Sequence, residues 1–429
     1  MTQKKQEDIL SPQEAQIEQA ETLRHQRKRE LKKVIQLIID AGRSSIKYQA
    51  FVDSETGTRG SSTYQNSAGL IDPAISQVSM SNQPRSLLSS GGDNASPARK
   101  IDSLICPVSS VPFGEQGAFS MSRAKGADGK DLVEHWVVGS AAKLQGKEYV
   151  AMTAGDNHKV TYFPILCLGA IASLPNLYEL STGTSPKRRS LHINLSTLSL
   201  SNPLELRKAI EVCKWINVDG VRYRLSFQKS GFVGFPEGYG ASLWMQPKVG
   251  DDKEFLTFDI GFGTATVSQY SNYGSLPKRV AASPNGGGGV ATLVRKFSKA
   301  LRQGDSSDSI EREHLREMLE TATITPDGKV SAFAPDGKDV GEALKAGISA
   351  WIQDSALTDA IADLSIKARR NKVALCGGGF AIKPVHQMIR ERLTQASVPD
   401  ENLLLTDNPE TIALSHMRVF HVPELGRHG

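Results

Sequence analysis

The stretch FLTFDIGFGTATVSQY, residues Phe255–Tyr270, has the pattern of two β-strands joined by a glycine turn. Apolar residues lead into Asp259, the turn contains Gly261 and Gly263, and an alternating run follows from Thr264. Glycine lets backbone N–H groups approach an anion and point at it, so such a turn suits a phosphate. Asp259 repels a phosphate, but it suits a Mg²⁺ ion, held directly or through water, that bridges to the phosphates.

The same pattern occurs earlier, at VIQLIIDAGRSSIKYQAF, residues Val34–Phe51. An apolar strand leads into Asp40 and Gly42, two serines and Lys47 follow, and a second strand begins. Asp-x-Gly is a common turn sequence, so one such hairpin carries little weight. Two of them predict a duplicated scaffold whose turns converge on one polyphosphate.

The composition limits the class of protein. At 429 residues the chain is too long for one ordinary core, which predicts two or more domains. A hydrophobic content of 39% and a charged content of 23% are typical of a soluble globular protein. The net charge of +5 permits contact with acidic partners but does not indicate a dedicated nucleic-acid binder.

The cysteines and the apolar runs bear on the compartment. The 4 cysteines are scattered without a CxxC pair, which favours a reducing cytoplasm and argues against a zinc site. The longest apolar run, 162–174, contains Pro164 and is too short to span a bilayer, and the polar N-terminus shows no signal peptide. We therefore expect a cytoplasmic protein with no transmembrane segment.

Two polar segments flank the first hairpin. Residues 1–33 end in a basic cluster at 25–33 and favour a solvated helical extension. The alternative is a docking arm for an acidic partner, an anionic membrane surface or DNA. Residues 54–99 are rich in Ser, Gly, Asn and Pro, which indicates a long loop or a partly disordered insertion.

Between the hairpins, alternation and β-branching predict several strands and helices. The predicted strands are short ones over 101–150, then 190–201, 221–228 and 231–235, and the predicted helices are 162–180, one from Pro203, and 241–245. His192 lies on the strand 190–201 and is interpreted as structural, because no second histidine lies at metal-binding spacing.

A glycine run follows the second hairpin. A loop closes with Asn285 and four glycines at 286–289, just before a predicted helix over 290–301. The glycines allow the helix N-terminus to lie against a ligand or a neighbouring strand, and a flexible connector is the alternative. Residues 302–345, with PDGK turns at 326–329 and 335–338, indicate an inserted subdomain, and 340–366 is helical in pattern.

A third glycine turn lies at KVALCGGGFA, residues 372–381. A buried strand runs into three consecutive glycines, and a helix follows over 385–393. A strand, a glycine turn and a helix bind a nucleotide when the turn approaches its base or ribose, although this is not the GxGxxG fingerprint. A short strand at 403–405, then DNPE at 407–410 and a helix at 411–417, finish the pattern.

Taken together over about residues 34–420, these segments resemble the actin/Hsp70/sugar-kinase ATPase superfamily. The chain is most similar to bacterial actin-like proteins of the ParM type, the plasmid-segregation actins. The features nearest that group are DAGRSSIK at 40–47, PEG at 236–238 and DNPETIAL at 407–414. The segments 1–33 and 54–99 depart from it without removing a nucleotide-site motif.

The resemblance implies an α/β, actin-like (ribonuclease H-like) fold, with the nucleotide between two mixed-sheet domains that each carry a smaller inserted subdomain. The expected divisions are the extension 1–33; domain I over 34–245, with an inserted subdomain and Ser-rich loop at about 54–165; domain II over 246–385, with an inserted subdomain at about 290–345; and a C-terminal segment, 386–429, that returns to domain I.

The resemblance also implies a site for ATP (or GTP) and Mg²⁺. The nucleotide-binding residues would be Asp40, Gly42, Arg43, Ser44, Ser45, Lys47, Gly261, Phe262, Gly263, Thr264, Gly377, Gly378 and Gly379. Asp40 and Asp259 would place Mg²⁺ through its waters. Glu237 would orient or deprotonate the attacking water, with Asp259 as the second member of a hydrolytic pair. The alternative role for Glu237 is to cap the helix that follows it.

The function expected from the resemblance is a filament-forming ATPase that assembles head to tail with itself. It would act in plasmid or DNA segregation through a DNA-bound adaptor, without direct sequence-specific DNA binding. Alternatives are a filament for cell shape or intracellular positioning, and a non-polymerising small-molecule kinase of the same fold. An Hsp70-like chaperone is disfavoured because no peptide-binding β-domain follows residue 420. A membrane-tethered division protein is disfavoured because HVPELGRHG, at 421–429, cannot form an amphipathic helix.

Overall fold

The computed structural model describes residues 34–52, 98–125, 128–146, 148–153, 158–198, 203–228, 233–250, 254–273, 276–303, 310–406, 408–415 and 417. The predictions for 1–33, for nearly all of 54–99 and for 421–429 lie outside these residues.

The strands of the first half of the chain join one mixed sheet of twelve strands. In chain order they are β1 Val34–Ala41, β2 Ser45–Val52, β3 Arg99–Asp102, β4 Leu104–Pro107, β5 Ala118–Lys125, β6 Asp131–Val138, β7 Val150–Ala151, β8 Thr182–Ser185, β9 Arg188–Leu198, β10 Trp215–Val218, β11 Val221–Phe227 and β12 Val233–Phe235.

The strands of the second half form a five-stranded sheet and a small two-stranded one. The five are β13 Glu254–Ile260, β14 Thr264–Ser271, β15 Lys278–Gly286, β18 Val373–Cys376 and β19 Leu403–Leu405, and the two are β16 Thr323–Ile324 and β17 Val330–Ser331. Both predicted hairpins are therefore present, as β1–β2 and β13–β14.

The helices lie mainly on the faces of these sheets. In chain order they are α1 His158–Thr161, α2 Phe163–Ala172, α3 Leu177–Leu180, α4 Pro203–Glu211, α5 Tyr239–Met245, α6 Val290–Gln303, α7 Arg312–Thr321, α8 Gly341–Ile352, α9 Ser355–Ala368, α10 Gly378–Ala381, α11 Lys383–Gln395 and α12 Ile412–Ser415. The single helix predicted over 162–180 is two helices, α2 and α3, and the helical pattern over 340–366 is likewise divided into α8 and α9.

The two sheets share one five-stranded plan. In the second sheet the order is β15-β14-β13-β18-β19, with the first three strands antiparallel and the last two parallel to β13. In the first sheet β3-β2-β1-β9-β12 repeats that order with the same senses. The long strand β9 also pairs with β11, from which the sheet extends through β10 and β5. The duplicated scaffold predicted from the two hairpins is thus present.

Each central strand is apolar on both faces because both faces are covered. All of β1 after Val34 is buried, and β13 is buried from Phe255 to Phe258, which is the pattern of a strand packed on two sides. One apolar core lies on the first sheet and another on the second. A third cluster joins the two sheets and includes Ile38, Tyr239, Phe255, Tyr270 and Leu414.

The loop predicted between the second hairpin and the glycine run is wrong in part, because residues Lys278–Gly286 form β15. This strand pairs only with β14 and lies at the edge of the sheet, and nearly all of its residues are exposed or half-buried. An exposed edge strand needs no apolar alternation, and it tolerates the proline and charges found here. The signal by which a strand is predicted is therefore missing from its sequence.

The domain limits given above stay a proposal, and strand pairing favours two changes to them. β3 belongs to the first sheet proper, so the insertion into domain I begins after Asp102. The helix α11 and the strand β19 pack on the second sheet, so domain II extends to Leu405. The last described residues, including Leu414 and Met417, return to the cluster between the sheets.

Within the described part of the chain, no helix is long and apolar enough to cross a membrane. The four cysteines are all buried and free of disulfide bonds.

Candidate functional site

The two hairpin turns face each other across a cleft of about 640 Å³. A Cβ built on Gly263, in the second turn, would lie 3.1 Å from Nη1 of Arg43, in the first turn. The cation of one sheet therefore lies against the backbone of the other. This is the convergence of the turns that the duplicated pattern predicts.

The first hairpin carries an ion pair at its mouth. Asp40 and Lys47 are cross-strand partners in β1 and β2, and Lys47 Nζ lies 3.6 Å from Asp40 Oδ2. Asp40 is buried and Lys47 is half-buried, with 14% of its side chain exposed, and Oδ1 of Asp40 has no hydrogen-bond partner among the described residues. A buried carboxylate oxygen without a partner is costly, so this oxygen is suited to a ligand donor such as a metal-bound water.

Lys47 lies at the centre of an acidic cluster. Burial lowers the pKa of Lys47, but the surrounding carboxylates raise it by more, so the net shift is upward. In order of effect these carboxylates are Asp40, Asp259, Glu410 and Glu237. A raised pKa means that the ammonium charge is complete below the ordinary pKa of lysine and is lost only as the pH rises through the higher folded value. Lys47 is therefore a fixed cation, suited to a polyphosphate.

In the second sheet, the Asp259 carboxylate lies between two glycines. A Cβ on Gly238 would lie 3.2 Å from Asp259 Oδ2, and a Cβ on Gly377 would overlap Oδ1. Gly377 has φ +91°, a backbone conformation that favours glycine. Three separate chain segments thus meet at one carboxylate: the second hairpin, the segment after β12 and the turn after β18.

The glycine run at 286–289 packs on the second turn. A Cβ on Gly289 would lie 2.5 Å from both Phe262 O and Thr264 N, so only glycine allows this approach. The N–H groups of Val290 and Ala291, at the start of α6, donate to Gly261 O at 3.1 Å and to Phe262 O at 2.8 Å. Of the readings that the sequence left open, the structure shows the helix N-terminus against a neighbouring turn.

The first turn is held differently, by side chains. Ser103 Oγ donates to Gly42 O at 2.7 Å, and the Ser103 N–H donates to Ser44 O at 3.1 Å. Arg316, from α7 on the other side of the cleft, donates to the same Ser44 carbonyl at 3.2 Å. The backbone of the first turn therefore depends on residues that are distant in the sequence.

The turn after β18 is closed by the segment that carries DNPE. The Gly377 N–H donates to Pro409 O at 2.8 Å, and Glu410 lies beside Gly378. Glu410 also accepts a hydrogen bond from Lys100 Nζ at 2.8 Å. The C-terminal segment thus forms one wall of the cleft.

Glu237 follows β12 and lines the cleft, within electrostatic reach of Lys47. The N-cap of α5 is Gly238, and that helix has no side-chain capping hydrogen bond. The position of Glu237 at the cleft suits a group that orients or deprotonates a water.

Most of the residues predicted for the site line the cleft. They are Asp40, Gly42, Arg43, Ser44, Lys47, Glu237, Asp259, Gly261, Phe262, Gly263, Thr264, Gly377 and Gly378. Two do not. Ser45 begins β2 and is buried, and Gly379 is packed so closely on Ile260 that a Cβ would overlap its side chain.

Several cleft residues were not predicted from the sequence. The polar ones are Lys100, Thr257, Thr266, Ser268, Arg279, Arg316, Glu320 and Glu410. Arg316 and Glu320 lie four residues apart on α7, opposite the buried residues of that helix. This amphipathic pattern predicts a polar face, but it does not tell which surface that face meets.

The residues present fit a magnesium ion bound through its waters. Asp40 and Asp259 line the same cleft, and the unpartnered Oδ1 of Asp40 is a hard oxygen donor of the kind Mg²⁺ prefers. Among the described residues there is no cluster of three or more His, Cys, Asp or Glu side chains that could hold a metal on its own. The described carboxylates thus do not form a complete metal site, as in proteins where substrate phosphates and waters complete the coordination of Mg²⁺.

The fold is similar to that of solved actin-like proteins. A ParM filament from Clostridium botulinum has a TM-score of 0.56 and 15% identity, covering 90% of this chain and 99% of that one. Bacillus thuringiensis ParM with ATP has a TM-score of 0.53 and 12% identity, covering 91% and 100%. An archaeal actin homologue has a TM-score of 0.52 and 13% identity, covering 90% and 99%.

No protein-family model and no curated protein sequence matches the chain. At 12–15% identity the structural likeness shows the fold. The repeated five-stranded plan, the facing turns and this likeness agree. The chain has the actin-like fold, with two mixed-sheet domains on either side of a cleft.

Proposed function

We propose that the protein is an actin-like ATPase that binds ATP (or GTP) with Mg²⁺ in the cleft and assembles head to tail into filaments. The observation that carries the proposal is the pair of equivalent Asp–glycine hairpins that face each other, with the half-buried cation Lys47 between four carboxylates. Two glycine turns and a fixed cation form a site for a polyphosphate.

In the proposed reaction, Lys47 and the amides of the two turns neutralise the phosphates and hold them in line with a water. Glu237 orients that water or accepts its proton, and Asp259 assists it from the second hairpin. Asp40 and Asp259 would hold Mg²⁺ through its waters, and the ion would supply positive charge that offsets the charge of the phosphates. The turn after β18, at Gly377 and Gly378, receives the ribose or base.

The biological role we propose is plasmid or DNA segregation through a DNA-bound adaptor. It rests on the resemblance of DAGRSSIK, PEG and DNPETIAL to the plasmid-segregation actins, and on the fold shared with two proteins described as ParM. The mild net charge of +5 supports an indirect rather than a direct contact with DNA. The buried free cysteines support a reducing, cytoplasmic location.

The test combines assembly with hydrolysis. Light scattering and negative-stain electron microscopy follow the purified protein with ATP, ADP or no nucleotide, and phosphate release is measured in the same samples. We expect polymer with ATP and its loss after hydrolysis. Glu237→Gln keeps the size of the side chain, and we expect it to lower phosphate release at least about a hundredfold, as for loss of a general base, while filaments persist longer.

Glu254→Gln is the matched control, because Glu254 lies in β13 at an exposed position and accepts a hydrogen bond from the side chain of Gln269. It should leave both signals unchanged. Phosphate release without polymer at any salt or crowding condition would overturn the filament proposal. Phosphate transfer to a sugar would then identify a small-molecule kinase of the same fold.

A further inference from the structure

The helix α7 belongs to the second domain, and two of its polar residues line the cleft. Leu315, Met318 and Leu319 are buried in the core on the second sheet. Arg316 and Glu320 lie on the other face and line the cleft. The Arg316 guanidinium is joined to Glu320 by a 2.8 Å hydrogen bond from Nε, which fixes its plane on the helix.

The same guanidinium reaches across to the first sheet. Nη1 donates to the Ser44 carbonyl at 3.2 Å, and Nη2 donates to Asp102 Oδ1 at 2.9 Å. Ser44 lies in the first phosphate turn, and Asp102 ends β3, directly before the Ser103 that bonds Gly42. One side chain of the second domain therefore holds both the turn and the strand that supports it.

A second link runs beside the first. Lys100, in β3, reaches Glu410 at 2.8 Å and Glu320 at 3.7 Å. These contacts are more exposed than those of Arg316, whose side chain is 17% exposed. Ion pairs that water reaches contribute little, whereas charged hydrogen bonds shielded from water contribute more. Arg316 is therefore the stronger of the two links.

The charge of Arg316 is secure in this setting. Burial lowers the pKa of its guanidinium, but Glu320 and Asp102 raise it by more. The planar fork of arginine also makes several hydrogen bonds at once, which a lysine ammonium cannot reproduce with the same geometry.

We propose that Arg316 is a positioning residue that ties the first phosphate turn to the second domain, and so sets how firmly the cleft closes on a nucleotide. The tie between the turn and the second domain is a property of the protein without ligand. Its effect on how the cleft closes on a nucleotide rests on the proposed function. Loss of the guanidinium leaves the Ser44 carbonyl with the Ser103 N–H as its remaining donor and removes the hydrogen bond to Asp102, which opens the cleft and loosens the first turn.

The ligand-free test measures the distance between the domains. Gln116→Cys and Ala346→Cys place labels at exposed positions in the turn that precedes β5 of the first sheet and on α8. The native cysteines are buried, and burial raises the pKa of Cys213 to about 11, so the added thiols are labelled selectively. We expect Arg316→Ala to shift the distance distribution toward a more open cleft, and Arg316→Lys to restore it only in part.

A double-mutant cycle assigns the effect to the contact. Asp102→Ala should open the cleft in the same direction, and the double variant should be no more open than Arg316→Ala. Arg390→Ala is the matched control, because Arg390 pairs with Asp400 at 2.6 Å wholly within the second domain. Unchanged label distances in Arg316→Ala, or the same shift in Arg390→Ala, would contradict the proposal that Arg316 ties the two domains together.

The ligand arm measures the Kd and the dissociation rate of a fluorescent ATP analogue. We expect Arg316→Ala to raise both about tenfold, as for the loss of one shielded charged hydrogen bond. If the wild type binds no nucleotide, the proposed function fails, and the label distances between the domains alone test whether Arg316 ties the first turn to the second domain. If the wild type binds the analogue and Arg316→Ala opens the cleft without changing the Kd or the dissociation rate, the proposed effect of Arg316 on nucleotide binding is wrong.

Discussion

The two hairpins have the same topology but differ in what stands opposite the aspartate. Asp40 pairs across the strands with Lys47, and Asp259 pairs at the same register with Thr266. Both Lys47 and Thr266 line the cleft. Opposite the aspartate, the first hairpin thus carries a cation and the second a neutral side chain, and the cation Lys47 lies among four carboxylates.

The turns also differ in how they are held. The second turn is bonded by backbone N–H groups from the glycine run and the start of α6, all within its own domain. The first turn is bonded by the backbone N–H and the side chain of Ser103, within its own domain, and by the side chain of Arg316 from the other domain. The second turn is therefore held wholly within its own domain, whereas the first is held in part by a residue of the other domain.

The largest expected effect comes from replacing the lysine opposite Asp40. Lys47→Met removes this cation from the cleft, and we expect the Kd for ATP with Mg²⁺ to rise about a hundredfold, because a charged contact to phosphate is lost. Thr266→Val, at the equivalent register of the second hairpin, should change it less than about threefold. Isothermal titration calorimetry measures both, and equal effects would contradict a special role for the charged position opposite Asp40.

The next prediction breaks the backbone support of the second turn. Gly289→Ala places a methyl group 2.5 Å from Phe262 O and Thr264 N, and we expect the free energy of unfolding to fall by about 2–3 kcal/mol through overpacking. Gly286→Ala is the control, because a Cβ there meets nothing within 4 Å. Urea denaturation compares them, and a full-stability Gly289→Ala would show that the glycine run is only a connector.

A smaller effect tests the side-chain support of the first turn. Ser103→Ala removes the 2.7 Å hydrogen bond to Gly42 O, and we expect a loss of about 1 kcal/mol in the free energy of unfolding. Ser349→Ala, which removes an exposed hydroxyl bonded to its own helix at Lys345 O, should be nearly neutral. If Ser103→Ala is neutral too, the turn does not depend on this side chain.

The smallest effect concerns one histidine in each domain. Burial and Arg224 lower the pKa of His192, and burial and Arg390, opposed by Asp400, lower that of His386. Because the unfolded state takes up the proton more readily, both residues reduce stability as the pH falls from about 6.5 through their folded values. His192→Gln and His386→Gln should each flatten the fall in melting temperature over that range, without changing nucleotide affinity at neutral pH.

The parts of the site predicted from the sequence are those that one local segment makes complete. Each hairpin places its aspartate and its glycines within a few residues, so their shared role is visible in DAGRSSIK and DIGFGT. Ser45 was grouped with these residues because it belongs to the same turn sequence. The pleat of β2 directs it inward instead, since neighbouring strand residues point to opposite faces.

Other contributors to the cleft carry no local signal. Lys100 follows a long polar segment, and Arg316 and Glu320 have the spacing of any i, i+4 pair on a helix surface. β15 lacks apolar alternation because it lies at an exposed edge. Their roles arise from contacts between distant segments, which a pattern of neighbours in the chain does not contain.

The sequence by itself determined the two hairpins, their acidic residues and the third glycine turn, because local glycine turns and buried apolar strands specify these elements; the resemblance of these segments to a known superfamily implied the actin-like fold. Tertiary structure alone decided that Lys47 has four carboxylates around it, that the glycine run packs on the second turn, and that Arg316 holds the first. The physical reason is that charge interaction and close packing depend on distances across the cleft, which are set only when the two sheets come together.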